Sequence, residues 1–469
     1  MTTLSTSAMD DLKSALRGEA LRPGEPGFDA ARTIWNAMID RRPAVIVRCA
    51  GAGDVMQSIR FGREQGLAIA VRGGGHNIAG NAVCQDGLMI DLSPMRSVRI
   101  DPRARRAYVG PGATLRDVDH EAQAFALATP LGINSTTGVA GLTLGGGFGW
   151  LTRRHGLTVD NLVSADLVTA ESRLVRASAD ENADLFWAIR GGGGNFGVVT
   201  AFEFALHPVG PEVLAGLIVF PLDQAMVVLE KYRAFVDTAP DELAVWAVLR
   251  KAPPLPFLPA QVHGTEVLVL ALCHCGDVKE GQRLIEPLQR FGKAHGTHIG
   301  AMPYVAWQQA FDPLLTPGAR NYWKSHNFSE LRDEVMETVI DYARRLPSPH
   351  CEVFIGLLGG QASRVDRDAT AYPHRDARFV MNVHGRWERP QEDKDGIAWA
   401  RAFFDATAPY ATGGSYVNFM TEDEADRTGA AYGAHYDRLV RVKNQYDPQN
   451  VFRLNQNITP SAGAATGRA

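Results

Sequence analysis

Short apolar runs separated by polar, helix-spaced segments set the rhythm of the first half of the chain. Ala44–Arg48, Leu67–Val71 and Leu88–Leu92 each read as a strand, and the amphipathic stretch Asp54–Gln65 reads as a helix. Ser97–Ile100 with Arg106–Val109, and Leu162–Thr169 with Leu174–Arg176, predict two hairpins. Thr114 stands where a hydroxyl can accept a first-turn N–H, so a helix is expected to open at Leu115. A short helix over Asp184–Ile189 and a strand over Val198–Leu206 complete this half.

After His207-Pro208 the texture changes. Glycine thins out and longer strands alternate with longer helices. The pattern predicts strands at Leu214–Phe220, Leu243–Arg250, Val267–Cys273, Glu352–Leu358 and Phe379–Trp387. Helices are expected at Asp223–Asp237, Val278–Phe291, Glu330–Arg345 and Asp395–Thr407. Such a series suits a mainly antiparallel sheet covered on one face by helices.

At 469 residues the chain exceeds what one core usually holds, so two domains are expected. The net charge of −4 offers no global field for nucleic acid or anionic lipid, and no apolar run is long enough to span a bilayer. Five cysteines (Cys49, Cys84, Cys273, Cys275, Cys351) and an N-terminus without an apolar signal region predict a soluble, cytoplasmic protein. Cys273-His274-Cys275 lacks the second ligand pair of a zinc site and reads as alternation within a strand, so no metal is expected. Arg153-Arg154-His155 reads as a solvated or cofactor-flanking loop, and Tyr372-Pro373-His374-Arg375 as a turn.

Glycine carries the strongest signal. Twenty of the 47 glycines fall between Arg72 and Gly197, ten of them in the runs Gly73–Gly75, Gly145–Gly147 and Gly191–Gly194. Without a Cβ, such runs let a ligand approach the backbone, and consecutive N–H groups form concavities suited to phosphate. None of the runs ends in Gly-Lys-Ser/Thr, which excludes a P-loop. Gly192, Gly194 and Gly197 spell a G-x-G-x-x-G, yet they precede a strand instead of joining a strand to a helix, which excludes a dinucleotide fingerprint. His76 directly follows the first run, where its ring can enter the space that the glycines vacate.

Five motifs occur in order: Val71-Arg72-Gly73-Gly74-Gly75-His76-Asn77; the segment from Gly138 to Gly149; the segment from Asp184 to Thr200; Ser415-Tyr416-Val417-Asn418-Phe419; and the segment from Tyr446 to Ile458. Over about residues 44–458 the chain resembles the berberine bridge enzyme-like flavoproteins of the vanillyl alcohol oxidase/p-cresol methylhydroxylase superfamily. The resemblance implies an α+β fold with a two-part PCMH-type FAD-binding domain (residues 1–206, core about 40–206). It further implies a substrate domain (207–414) and a C-terminal return to the FAD domain (415–469).

The resemblance also implies roles. His76 is expected to bond covalently to the 8α-methyl of FAD, and Arg72, Gly73, Gly74, Gly75, Asn77 and Gly80 to wrap the pyrophosphate. Gly138, Gly141, Gly145, Gly146, Gly147 and Gly149 are expected to form the second wall. Gly197 and Val198 would edge the adenosine end, with Asn418 and Asn455 also against the cofactor. Asn134, beside Thr136 and Thr137, stands where many relatives carry a second, cysteinyl link, so none is expected here. Thr137 falls at the oxygen-gating position and is read as permitting O2. Tyr416 is expected to be the catalytic base, with Arg72 as a possible source of positive charge. The implied activity is an FAD-linked oxidase. It would pass a hydride from a small alcohol, sugar, amine or polyketide-like molecule to FAD and reduce O2 to H2O2. The alternatives are a flavin-dependent monooxygenase of secondary metabolism and a non-catalytic flavin-binding protein.

Overall fold

The structure, a computed structural model, describes residues 4–461. Three sheets organise it. The first comprises β1 (Glu19–Leu21), β2 (Val45–Arg48), β3 (Ile69–Arg72) and β4 (Leu88–Asp91) in the order β1-β2-β4-β3. Strands β2, β4 and β3 run parallel, and their continuous apolar composition fits a sheet buried on both faces. The helix Ala52–Glu64 crosses between β2 and β3. The second sheet comprises β5 (Val98–Asp101), β6 (Arg106–Val109), β8 (Leu162–Val168), β9 (Leu174–Ser178) and β10 (Val198–Ala205). It is antiparallel, in the order β5-β6-β10-β8-β9. A two-stranded pair, β7 (Leu127–Ala128) and β11 (His207–Pro208), leads out of it. The helix opens at Leu115 as expected, but the Thr114 hydroxyl donates to Asp117 Oδ2, which also accepts the Thr114 N–H, instead of accepting a first-turn N–H.

The third sheet has seven strands, all antiparallel: β12 (Glu212–Pro221), β13 (Leu243–Lys251), β14 (Glu266–His274), β15 (Gly296–Pro303), β16 (Arg320–Phe328), β17 (Glu352–Leu357) and β18 (Phe379–Trp387). Their order is β15-β12-β14-β13-β17-β18-β16. The sequence pattern predicts five of these strands and misses β15 and β16, the two edges. On the helix-covered face Phe379 meets Tyr232 of the helix Ala225–Val236, and His326 stacks on Phe404 of the helix Asp393–Thr407. Alternation sends Trp323, Glu352, Phe354 and His384 to the opposite face, towards the first two sheets.

Arg153-Arg154-His155 is not a solvated loop. It lies in a one-turn helix, and the Arg153 guanidinium is buried, donating to the Leu358 and Ala239 carbonyls at 2.9 Å. Among the described residues no helix is long and apolar enough to cross a membrane, and no group of three or more His, Cys, Asp or Glu side chains could hold a metal ion.

The C-terminal helix Tyr436–Tyr446 returns to the second sheet and is pinned there by an ion pair. Lys443 and Asp447 are fully buried, with Nζ 2.7 Å from Oδ2. Lys443 also donates to the carbonyls of Asn195 (2.8 Å) and Phe452 (2.9 Å), and Asp447 accepts the N–H groups of Val451 and Phe452. Removing one partner leaves the other buried without compensation. Asp447→Asn is therefore expected to lower the free energy of unfolding by about 3–5 kcal/mol, read from urea denaturation. A change below about 1 kcal/mol, the scale of an exposed pair, would show that the pair does not anchor the return.

Candidate active site

Where the three sheets meet, a cavity of about 310 Å³ opens between the glycine runs and the seven-stranded sheet. Its first wall is the loop after β3, and that loop approaches the Gly138 segment so closely that neither side can carry a side chain. A Cβ on Gly74 would lie 2.5 Å from the Gly138 N and Cα, and one on Gly138 would lie 2.5 Å from the Gly74 N. Gly75 has φ of +68°, which turns the chain into His76. Asp91, fully buried at the end of β4, fixes the start of this loop by accepting from Arg72 Nε at 3.0 Å and Nη2 at 3.2 Å.

The His76 ring stacks on Trp35, with centroids 4.2 Å apart. Its Nε2 is buried without a hydrogen-bond partner, and burial pushes the ring down to about 3, so it is neutral at physiological pH. Trp35 is locked by its Nε1–H to the Leu315 carbonyl (3.1 Å). Neighbouring Asn36 bridges the Ile78 and Asn321 carbonyls, tying the His76 loop to β16.

Of the residues predicted from sequence, Gly73, Gly74, Gly75, His76, Asn77, Asn134, Thr137, Gly138, Gly141, Gly197, Val198, Tyr416, Asn418 and Asn455 line the cavity. The others stand behind its walls. The Arg72 side chain is spent on Asp91 and on the carbonyls of Ala31 and Thr33, so it lends no charge to Tyr416. Gly80 packs against Ile39, and Thr136 donates to Asn134 Oδ1. Gly145, Gly146, Gly147 and Gly149 do not form a second wall. They make room for Asn418, Tyr372, Thr158 and the Leu131 carbonyl, respectively. The absent Cβ atoms of Gly145 and Gly146 let the Tyr416–Asn418 turn seat from behind.

Tyr416 is itself buried. Its oxygen accepts the Gly147 N–H at 3.0 Å and Asn418 Nδ2 at 2.9 Å. Burial outweighs both bonds and pushes the phenol up to about 12. The phenol stays protonated at neutral pH, which runs against its expected role as the base. His374 is likewise occupied, between the carbonyls of Ser415 and Ala431.

The cavity has two ends of different chemistry. At one, Gly193, Gly194, Gly197, Phe452, Leu454, Asn455 and Gln456 converge, with Asn455 Oδ1 and Gln456 Nε2 buried and unpartnered. At the other, His76, Asn134 and Tyr416 face Trp246, Trp323, Glu352, Phe354, His384 and Phe419. Sequence reasoning missed this second group and Trp35. The available signal was a charged or imidazole side chain (Glu352, His384) inside strands otherwise apolar enough to be predicted.

These residues fit FAD. The glycine cradle admits a ligand against backbone N–H groups, and a Cβ on Gly141 or Gly194 would meet nothing within 4 Å on the cavity lining. The unpartnered atoms of His76, Asn134, Asn455 and Gln456 are groups that a polar cofactor would satisfy. None of the five cysteines lines the cavity, and all are buried and unpaired.

The comparisons agree. Residues 43–178 match the family described as FAD binding domain, and residues 415–459 match that described as berberine and berberine like. The chain is similar to the FAD-linked oxidoreductase pgmH of Aspergillus terreus, with 40% identity over 489 residues covering 98% of this chain and 97% of that one. It is 31% identical over 458 residues to (R)-6-hydroxynicotine oxidase of Paenarthrobacter nicotinovorans, covering 95% and 97%. The crystal structure of 6-hydroxy-D-nicotine oxidase from Arthrobacter nicotinovorans superposes with a TM-score of 0.86 at 29% identity, covering 98% of this chain and all of that one. With a glycine-walled cavity built for FAD and relatives matched from end to end, the chain belongs to the berberine bridge enzyme-like family and is an FAD-linked oxidoreductase.

Proposed function

We propose that the protein is an oxidase whose FAD is covalently attached through His76, with no second link because Asn134 stands where a cysteine would supply one. The observation that carries this reading is the His76 ring, which lines the cavity, stacks on Trp35 and has a buried Nε2 without a partner. Its neutral ring keeps a lone pair for the bond to the cofactor's 8α carbon. When bound, FAD accepts a hydride from the substrate and passes the electrons to O2, giving H2O2.

Residues 1–206 with the return 415–469 would hold the cofactor, and 207–414 would carry the substrate. Gly73–Gly75, Asn77, Gly138 and Gly141 would give backbone N–H groups and close approach along the cofactor. Gly197, Val198 and Asn455 would hold its far end. Thr137, a small side chain beside Gly138 on the cavity wall, would leave O2 a path. Tyr416, with two N–H donors already on its oxygen, has its own proton left to donate towards the cavity, so it would orient substrate as a neutral phenol. The substrate is a small organic molecule with an oxidisable C–H, drawn from alcohols, sugars, amines or polyketide-like metabolites. Five unpaired cysteines support a cytoplasmic setting.

Acid precipitation of the purified protein tests the attachment. Yellow colour is expected to stay with the wild-type pellet and to pass into the supernatant for His76→Ala; a wild-type pellet without colour would overturn the assignment. The cradle makes a second prediction. Gly138→Ala places a Cβ 2.5 Å from Gly74 backbone, which nothing flexible can relieve. We expect flavin absorbance per mole of protein to fall at least about fivefold, because the displaced loop no longer presents its backbone to the cofactor. An unchanged ratio would show that the two loops are free to part.

A further inference from the structure

The seven-stranded sheet presents one row of side chains in direct register towards the cavity. Arg250 on β13 stands opposite Glu352 on β17, Glu352 opposite His384 on β18, and His384 opposite Trp323 on β16. All four are at least nine-tenths buried. Glu352 Oε2 accepts from Arg250 Nη1 at 2.5 Å, and Glu352 Oε1 lies 3.3 Å from His384 Nδ1. Trp323 meets the imidazole edge to face, with centroids 4.3 Å apart. His384 lines the cavity, yet its Nε2 has no partner.

A carboxylate at Nδ1 fixes the tautomer with the proton on Nδ1 and leaves the Nε2 lone pair as the only polar group that the ring offers the cavity. The charged and titratable groups facing this ring are Glu352, Arg250, Arg386 and His76. Arg386 is turned away to Asn321 Oδ1 and the Thr316 carbonyl, and its guanidinium covers the Trp35 ring. Burial would raise the Glu352 carboxyl, but Arg250, His384 and Arg386 overcome it and hold it at about 2. Burial lowers His384 against the pull of Glu352, so at neutral pH the pair is carboxylate and neutral imidazole. The site therefore contains an ionised orienting group, a neutral base and an apolar wall of Trp246, Phe354 and Phe419.

We propose that His384 is a catalytic residue, its Nε2 taking the proton from a hydroxyl carried on a flat, apolar substrate, with Glu352 and Arg250 as positioning residues. The inference rests on the FAD-oxidase reading above. The O–H bond breaks, its electron pair stays on the substrate oxygen, and the proton passes to Nε2. The adjacent C–H electron pair leaves with its hydrogen as hydride, for which the bound cofactor is the oxidant, and a carbonyl results. The imidazolium so formed is stabilised by the Glu352 carboxylate already at Nδ1. This division of labour leaves Tyr416 a donor, in keeping with its raised pKa.

Binding of 4-nitrophenol, whose phenolate absorbs apart from its neutral form, tests the base without turnover. Below the solution pKa of the probe, wild-type holoenzyme is expected to bind it with proton transfer, raising the phenolate fraction at least about tenfold over free probe. His384→Gln is expected to bind it as neutral phenol, and Glu352→Gln to lose most of the enrichment. Equal phenolate fractions in wild type and His384→Gln, or no spectral change with wild type, would overturn the proposal. Yellow acid-precipitated pellets from both variants confirm that the flavin site is intact, whereas wild-type protein carrying no flavin in either pellet or supernatant would sink the oxidase reading instead. Should His384→Gln fail to fold, the ring tautomer in wild type decides. In ¹⁵N-histidine spectra, the signal that moves in Glu352→Gln is expected to be protonated at Nδ1; protonation at Nε2 would exclude it as the base.

Discussion

Two backbones that cross with no room for a Cβ set the terms for the rest of the molecule. At Gly74 and Gly138 the loop after β3 and the loop before the Val139–Leu144 helix approach so closely that both positions must be glycine. Each loop belongs to a different sheet, so this contact joins the first sheet to the second and shapes the concavity between them. Asp91 steadies one side through Arg72, and the bridge from Thr114 to Gly138 steadies the other. The cofactor cradle is thus a consequence of how the two sheets are joined, and a ligand lying along it meets main chain on both flanks.

The opposite wall follows another logic. There the seven-stranded sheet contributes side chains, and its register decides which of them face one another. Because alternation along a strand has a period of two, Arg250, Glu352, His384 and Trp323 can meet only in the register observed. Main chain forms one wall of the cavity, and side chains on a sheet form the other. The N-terminal Trp35-Asn36 segment links the two walls, with Trp35 against His76 and Asn36 bonded to Asn321 of β16.

Much of the fold was legible because its strands are apolar and its turns are glycine-rich. The parallel core strands, both hairpins, the helix start at Leu115 and five of the seven strands of the large sheet lie where the sequence pattern places them. β16 escaped notice because Asn321, Lys324, Ser325, His326 and Asn327 are all buried, so composition argued against a buried strand. β15 is a partly exposed edge containing two glycines, with no apolar face to recognise. In the site, motifs located the His76 loop and the Tyr416–Asn418 turn. At Gly145, Gly146, Gly147 and Gly149 the missing Cβ atoms make room for other parts of the protein, a packing role that the motif does not announce. Glu352 and His384 lie 32 positions apart in sequence, and only strand pairing brings them together, so no local pattern announces them.

The buried Lys443–Asp447 pair has a bearing on the cavity, although it lies outside the lining. It holds the chain end against Asn195 and Phe452, and residues 452–456 complete one end of the cavity. The opposite end draws on Trp35, His76 and residues 416–419. A chain cut before Phe452 would keep the His76 loop but lose the residues that close one end of the flavin site. Closure of the cofactor cavity is thereby coupled to the docking of the helix Tyr436–Tyr446, so whatever loosens that helix opens the site from a point remote from its chemistry.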